Sequence, residues 1–262
     1  MQRVTIDPIQ IQQNVIQLNE SQIHYLRRVL RLGEGDRFIS LNGQGQGWVA
    51  VLSKERAYAD ILEPWQCHTE LSIPIQLIMA MPKTGMDEIV RQSTELGLSA
   101  LWPVLSDRTI LKPSPKKVDR WRRIAQESME QCERQWVPTI AEPMRVGDAL
   151  RSANKNEADS QTCKWICVAR SDENMDAPPH LLAAMLELMA TTSTPKKMDS
   201  MLQESHKTIT VAVGPEGGWT PSEVQAAIAL GYQPISLGPR VLRAVTAPLG
   251  AIAIMAAVLE CT

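Results

Sequence analysis

The order of apolar runs and turns in this chain predicts an α/β protein built on a parallel sheet, preceded by a small β-rich domain. Three observations carry that expectation. Residues 1–70 hold short strand-like stretches separated by turn signals. From Pro64 onward, buried-type strands alternate with amphipathic helices, the pattern of crossover-linked parallel strands covered on both faces. One of those strands runs into VAVGPEGGWTPS (211–222), where Gly214, Gly217 and Gly218 crowd one turn before a helix.

In the first domain, IQIQQNVIQL (9–18) partly alternates. After Ser21, residues Ile23, Leu26, Val29 and Leu30 fall at helical spacing. Residues 32–36 (LGEGD) form a turn. RFISL (37–41) and WVAVLSK (48–54) read as strands with Asn42-Gly43 as the hairpin signal, and a third strand spans Ala57 to Leu62. GQGQG (43–47) leads into a strand rather than a helix, so it is a hairpin tip and not a dinucleotide fingerprint.

In the second domain, 71–262, strands are expected at 74–82, 100–105, from Thr139, at 162–170, 208–213 and 234–237. Helices are expected at Asp87–Leu96, Lys116–Cys132, up to Arg151, Pro178–Met189, Pro221–Leu230 and Ala247–Leu259. Polar stretches at 154–162 and 191–200 are loops. Thr220, Pro221 and Glu223 form a capping box with Pro in the first turn, and Gly231 closes the same helix. The glycine turn therefore lies at the C-terminal end of a strand, where open α/β sheets place ligands. It lacks the Gly-Lys-Ser/Thr of a phosphate loop and carries Glu216, which disfavours a polyphosphate and favours a ligand with a neutral or positive head. A second turn, SLGPRVLRAVTAPLG (236–250), precedes a slim Ala-rich helix that must begin near Thr246 or Ala247, because Pro248 fits only a first turn. Arg240 and Arg243 are the only charged residues between Glu223 and Glu260, and two cations in such a setting are costly unless they bind something.

Composition narrows the function. With 44% hydrophobic and 21% charged residues the chain has material for a sizeable core. It shows neither an uncharged run long enough for a membrane span nor a signal-like N-terminus, so a cytoplasmic location with no membrane partner is expected. Five scattered cysteines argue against a disulfide framework, and Cys163 and Cys167 lack a histidine at metal-site spacing, so no metal is expected. The net charge of −2 makes local clusters the place to look for nucleic-acid contacts. Aromatics at 4% disfavour a base-stacking sheet.

Together GPEGGWTPSEV (214–224) and SLGPRVLRAVTA (236–247) resemble the SPOUT methyltransferases, and within them the ribosomal RNA small subunit methyltransferase E family. HYLRRVLRLGEGD (24–36), MPKTGMDEIVRQSTELG (81–97), PVLSDRT (103–109) and WRRIAQESMEQCERQWVP (121–138) extend the resemblance over nearly the whole chain. It implies a PUA-like β-barrel, a trefoil-knotted α/β domain, a homodimer, and methylation of a uridine N3 in 16S ribosomal RNA. It also implies S-adenosylmethionine bent among three loops, near Val168 to Arg170, Val213 to Gly218 and Ser236 to Leu242. Cofactor contacts would then fall on Val168, Val213, Gly214, Gly217, Gly218, Ser236, Leu237, Gly238, Leu242 and Thr246. Val245 stands where that family's pattern has an acid. A glycine turn without lysine suits this sulfonium ligand, which carries no phosphate and needs no metal.

Uridine N3 must lose a proton before it can accept a methyl group, and a cation near O2 or O4 would stabilise the anion that develops. Arg243 is the candidate for that role. No histidine or cysteine base lies near the motifs in sequence. RNA contacts are expected from Arg27, Arg28 and Arg31 in the first domain. In KPSPKKVDRWRR (112–123), with Trp121 interleaved, Lys112, Lys116, Lys117, Arg120 and Arg123 are candidates, followed by Arg134 and Arg240. Two alternatives stay open: a knotted methyltransferase for another RNA or base, and an RNA-binding assembly factor without catalysis.

Overall fold

The computed structural model describes residues 1–110, 114–153, 162–169, 177–192 and 208–261. Lys112, Arg170 and most of the polar stretches 154–162 and 191–200 lie outside the described residues. The chain divides into two compact units, residues 1–70 with 125–137, and residues 71–124 with 138–262. The sequence reading keeps 125–137 with the later elements, and packing moves it to the first unit.

In the first unit, strands β1 (Arg3–Thr5), β2 (Ile11–Gln12), β3 (Val15–Gln17), β4 (Arg37–Leu41), β5 (Gly47–Leu52) and β6 (Tyr58–Trp65) form one sheet in the order β1-β4-β5-β6-β3-β2. A register shift between Val49 and Ala50 bends the β5–β6 pair, and β6 continues to Trp65, beyond the expected Leu62. Side chains on β4 alternate between two apolar clusters. Phe38 packs with Ile6, Ile16 and Leu26, while Ile39 and Leu41 pack with Met129, Trp65 and Val137. That second cluster is what draws 125–137 into this unit. The expected helix after Ser21 starts earlier. Asn19 caps α1 (Glu20–His24) by accepting from the Gln22 N–H at 2.9 Å, and the Gln22 side chain accepts from the Asn19 N–H at 2.9 Å. The chain then unwinds into a π-turn over Tyr25–Val29 rather than continuing as an α-helix.

The second unit is a parallel sheet in the order β10-β8-β7-β12-β11-β13, with β9 also on β8. Its strands are β7 (Ile75–Ala80), β8 (Leu98–Leu105), β9 (Thr139–Ile140), β10 (Met144–Arg145), β11 (Cys163–Cys167), β12 (Ile209–Val213) and β13 (Gln233–Ile235). Every pairing is parallel. The helices are α2 (Met86–Glu95), α3 (Pro115–Gln131, which ends among first-unit residues), α4 (Val146–Ser152), α5 (Leu181–Thr192), α6 (Pro221–Ala229) and α7 (Thr246–Glu260). Both faces are covered. Ile78, Ala80, Ile166 and Ala212 pack against Ala149, Leu150 and Ala227 of α4 and α6. The alternate residues Leu77, Met79, Val211 and Val213 are also buried, on the face carrying α7, which packs on β7 and β12 beside α2 and α5. Among the described residues no helix is long and apolar enough to cross a membrane, and no cluster of metal-binding side chains occurs.

Candidate functional site

Strand adjacency builds the site. β12, β11 and β13 are neighbours and parallel, so their C-terminal ends lie side by side although up to 70 residues separate them in sequence. The segments leaving those ends, Val168–Ala169, Val213–Trp219 and Leu237–Leu242, line one cavity of about 520 Å³. That volume is in the range of pockets that enclose a small organic ligand, roughly 300–1,000 Å³.

The glycine turn is held by residues far from it in sequence. The Glu216 carboxylate accepts from the Lys83 backbone N–H at 2.9 Å, and the Glu223 carboxylate accepts from the Asp107 N–H at 2.9 Å. The Arg108 guanidinium donates to the carbonyl of Gly217 and, at 3.5 Å, to that of Trp219. At Gly214 a Cβ would sit 3.2 Å from the Trp219 nitrogen and 3.3 Å from the Gly218 backbone, so a side chain there would crowd the closed turn. Gly218 has φ +69°, the left-handed region that favours glycine. Just before the third segment the Ser236 hydroxyl accepts from the Gly238 N–H at 3.1 Å and shapes its start. Burial pushes the Cys167 thiol up to about 12, so a neutral thiol lines the cavity.

Of the expected cofactor residues, Val168, Val213, Gly214, Gly217, Gly218, Leu237, Gly238 and Leu242 line the cavity, whereas Ser236 and Thr246 do not. Arg240, expected at RNA, lines it as well, and Arg243 is exposed and off the lining. Val245 packs on the loop before α2. A Cβ at Gly85 would come within 2.5 Å of its Cγ2.

Sequence reading missed Arg108, which reaches the cavity from the loop after β8. It also finds no histidine near the motifs, yet a bridge between His180 and Ser236 brings His180 beside the third segment. Its Nδ1 accepts from the Leu182 N–H at 3.1 Å. Arg108 lies in the PVLSDRT stretch (103–109), but nothing local shows that it reaches the glycine turn, and no motif contains His180.

The basic candidates separate by environment. Arg28, Arg31, Lys116, Lys117 and Arg123 are exposed, and Arg120 is exposed but ion-paired with Asp87 at 2.8 Å. Arg27 is half-buried and donates to the Ser53 carbonyl at 2.9 Å. Arg134 must be corrected: its side chain is 4% exposed and paired with Glu70 at 2.6 Å, so it holds the fold together and is not open to RNA. Trp121 is likewise buried, its indole N–H donating to Asp87 at 3.1 Å.

The chain is similar to known proteins along almost its whole length. Residues 69–256 match a family model described as an RNA methyltransferase domain, and residues 18–62 one described as an RNA methyltransferase PUA domain. The chain is 42% identical over 260 residues to the ribosomal RNA small subunit methyltransferase E of Synechocystis sp., covering 98% of this chain and 78% of that protein. To the Bacillus subtilis protein of the same name it is 27% identical over 239 residues, covering 88% and 85% of the two chains. A crystal structure of the Neisseria gonorrhoeae ribosomal RNA small subunit methyltransferase E bound to S-adenosyl methionine has a TM-score of 0.75 at 28% identity. It covers 97% of this chain and 96% of that one. Matched along almost its full length, with both domain types in the same order, this chain belongs to the ribosomal RNA small subunit methyltransferase E family.

Proposed function

We propose that this chain uses S-adenosylmethionine to methylate N3 of a uridine in small-subunit (16S) ribosomal RNA. The observation that carries the reading is the convergence of three strand ends on one cavity with bare backbone at Gly214, Gly217 and Gly238. These residues fit the cofactor. Val213, Leu237 and Leu242 offer apolar walls for an adenine, and the exposed peptide groups of the glycine positions can meet its polar edges. When bound, the cofactor supplies an electrophilic methyl group on a sulfonium. The chain supplies the rest: it orients that methyl toward the target nitrogen, and much of the rate comes from this alignment. Arg243, exposed between the lining residues Leu242 and Ala244, is assigned the charge that builds on uridine O2 or O4 as the N3 proton leaves to solvent, and Arg240, at the cavity, contacts the flanking RNA. Exposed Arg28, Arg31, Lys116, Lys117 and Arg123 supply phosphate contacts. The knot and the homodimer belong to the same reading, and the exposed Leu182, Leu186 and Val241 on α5 and the third segment are apolar enough to favour a second copy there.

The test is to map N3-methyluridine in small-subunit ribosomal RNA from cells lacking the protein, then restore it with purified enzyme and cofactor. Loss and recovery of one N3-methyluridine is expected; an unchanged modification profile defeats the reading. In the same assay Arg243→Ala is expected to lose turnover by at least about a hundredfold, the cost of removing one charge-stabilising donor. Calorimetry should still detect cofactor binding. Near-normal turnover removes Arg243 from the mechanism.

A further inference from the structure

A tryptophan in the first unit carries a site outside the cavity. Trp136 is 52% exposed, yet its backbone is held by hydrogen bonds on both sides. The Glu70 carboxylate accepts from the N–H groups of Gln135 and Trp136 at 3.0 and 3.2 Å, and Glu70 is itself fixed by the buried Arg134. The Gly45 N–H donates to the Gln135 carbonyl at 3.0 Å, the Val137 N–H donates to the Gly43 carbonyl at 3.0 Å, and Gln44 and Trp136 form an antiparallel bridge. The indole rests directly on the hairpin tip. A Cβ at Gly45 would lie 2.6–2.7 Å from its Cε2, Cζ2 and Nε1 atoms, so only glycine lets the ring lie there. The GQGQG tip thus has a purpose beyond turning the chain: it is a floor for one aromatic ring.

We propose that Trp136 on this glycine floor is a stacking platform for an unpaired RNA base, an inference that rests on the reading of RNA as substrate. A large aromatic left half in water while its backbone is pinned is organised for a ligand before the ligand arrives. A nucleobase offers the flat partner that one open indole needs. The exposed Gln44 beside it presents an amide, able to donate to and accept from a base edge. The nearby carboxylates do not repel a phosphate backbone, because Glu70 is paired with Arg134 and Glu133 with Arg3 at 2.7 Å. A protein partner fits less well. Gly45 under the ring and Gln44 bridged to it are small or amide-bearing, unlike the apolar side chains that protein interfaces centre on.

The experiment measures binding of full-length protein to a labelled, unstructured uridine-rich oligonucleotide and to a small-subunit ribosomal RNA transcript, with cofactor affinity followed in parallel. Trp136→Ala is expected to weaken both RNA affinities roughly tenfold or more, the loss typical of one stacked base. Trp136→Phe, which keeps a ring on the glycine floor and guards against a folding defect, is expected to retain most of the affinity. Cofactor affinity should not change in either variant. Wild-type RNA affinity in Trp136→Ala overturns the platform and leaves the RNA reading intact. A loss in Trp136→Phe equal to that in Trp136→Ala overturns it too, as does a change of oligomeric state without loss of RNA. If the unaltered protein binds neither RNA, the substrate reading fails and the platform with it.

Discussion

Gly214 and Cys167 show how single positions shape the cavity from opposite directions. Gly214 matters for what it lacks. A methyl group there would press on the Trp219 nitrogen at 3.2 Å and on Gly218 at 3.3 Å, and backbone cannot swing aside as a flexible side chain can. Gly214→Ala is therefore expected to open the turn and to weaken cofactor binding by at least about tenfold, equivalent to about 1.4 kcal/mol. Calorimetry measures this, and an unchanged affinity would show that the turn tolerates a side chain. Cys167 matters for its proton. Burial raises its thiol from 9.0 to about 12, so the folded state prefers the neutral form. The sign follows: this contribution to stability is complete below about pH 9 and is lost as pH rises toward about 12. Urea unfolding midpoints should fall over that window in the unaltered protein, and Cys167→Ala should lack this part of the fall. Burial raises the Tyr232 hydroxyl as well, so an alkaline decline persists in the variant.

Elements were legible in the sequence where their signals are local. The capping box of α6 was readable because Thr220, Pro221 and Glu223 lie within one turn, and the Thr220 side chain does accept from the Glu223 N–H. Thr220→Ala is expected to destabilise the domain by about 1 kcal/mol, read from urea melts, with Thr220→Ser close to the original. Glu223 also reaches Asp107, so the cap couples the start of α6 to the loop that carries Arg108. The π-turn at Tyr25–Val29 was not legible. Apolar spacing at 23, 26, 29 and 30 fits more than one helical winding, and the bond from the Leu30 N–H to the Tyr25 carbonyl is what distinguishes this one. The early start of α1 was missed for a related reason: Asn19 and Ser21 both resemble caps, and the reciprocal bonds of Gln22 decide between them.

At the scale of the molecule, charge is local rather than global. A net charge of −2 coexists with exposed Arg28 and Arg31 in one unit and Lys116, Lys117 and Arg123 in the other. RNA affinity is expected to fall steeply with salt. At about −0.7 in log K per log salt for each phosphate neutralised on a single strand, four such contacts give a slope near −3. Binding measured across a salt series checks this, and a flat response would show that these residues face only solvent. A basic residue on the page of a sequence does not show its setting: Arg134, which follows Glu130 and Glu133 in the chain, lies in a buried ion pair with Glu70.

The sequence by itself determined the alternation of strands and helices after residue 70, the glycine turn and its capped helix. Each of these depends on sterics and hydrogen bonds among residues a few positions apart. Only the tertiary structure decided that β12, β11 and β13 stand side by side, that Arg108 and His180 join the loops they end in, and that 125–137 packs beneath β4. It alone set Trp136 on Gly45. Those contacts join residues tens of positions apart, and which apolar faces meet is settled by the packing of the whole core, not by any short stretch of chain.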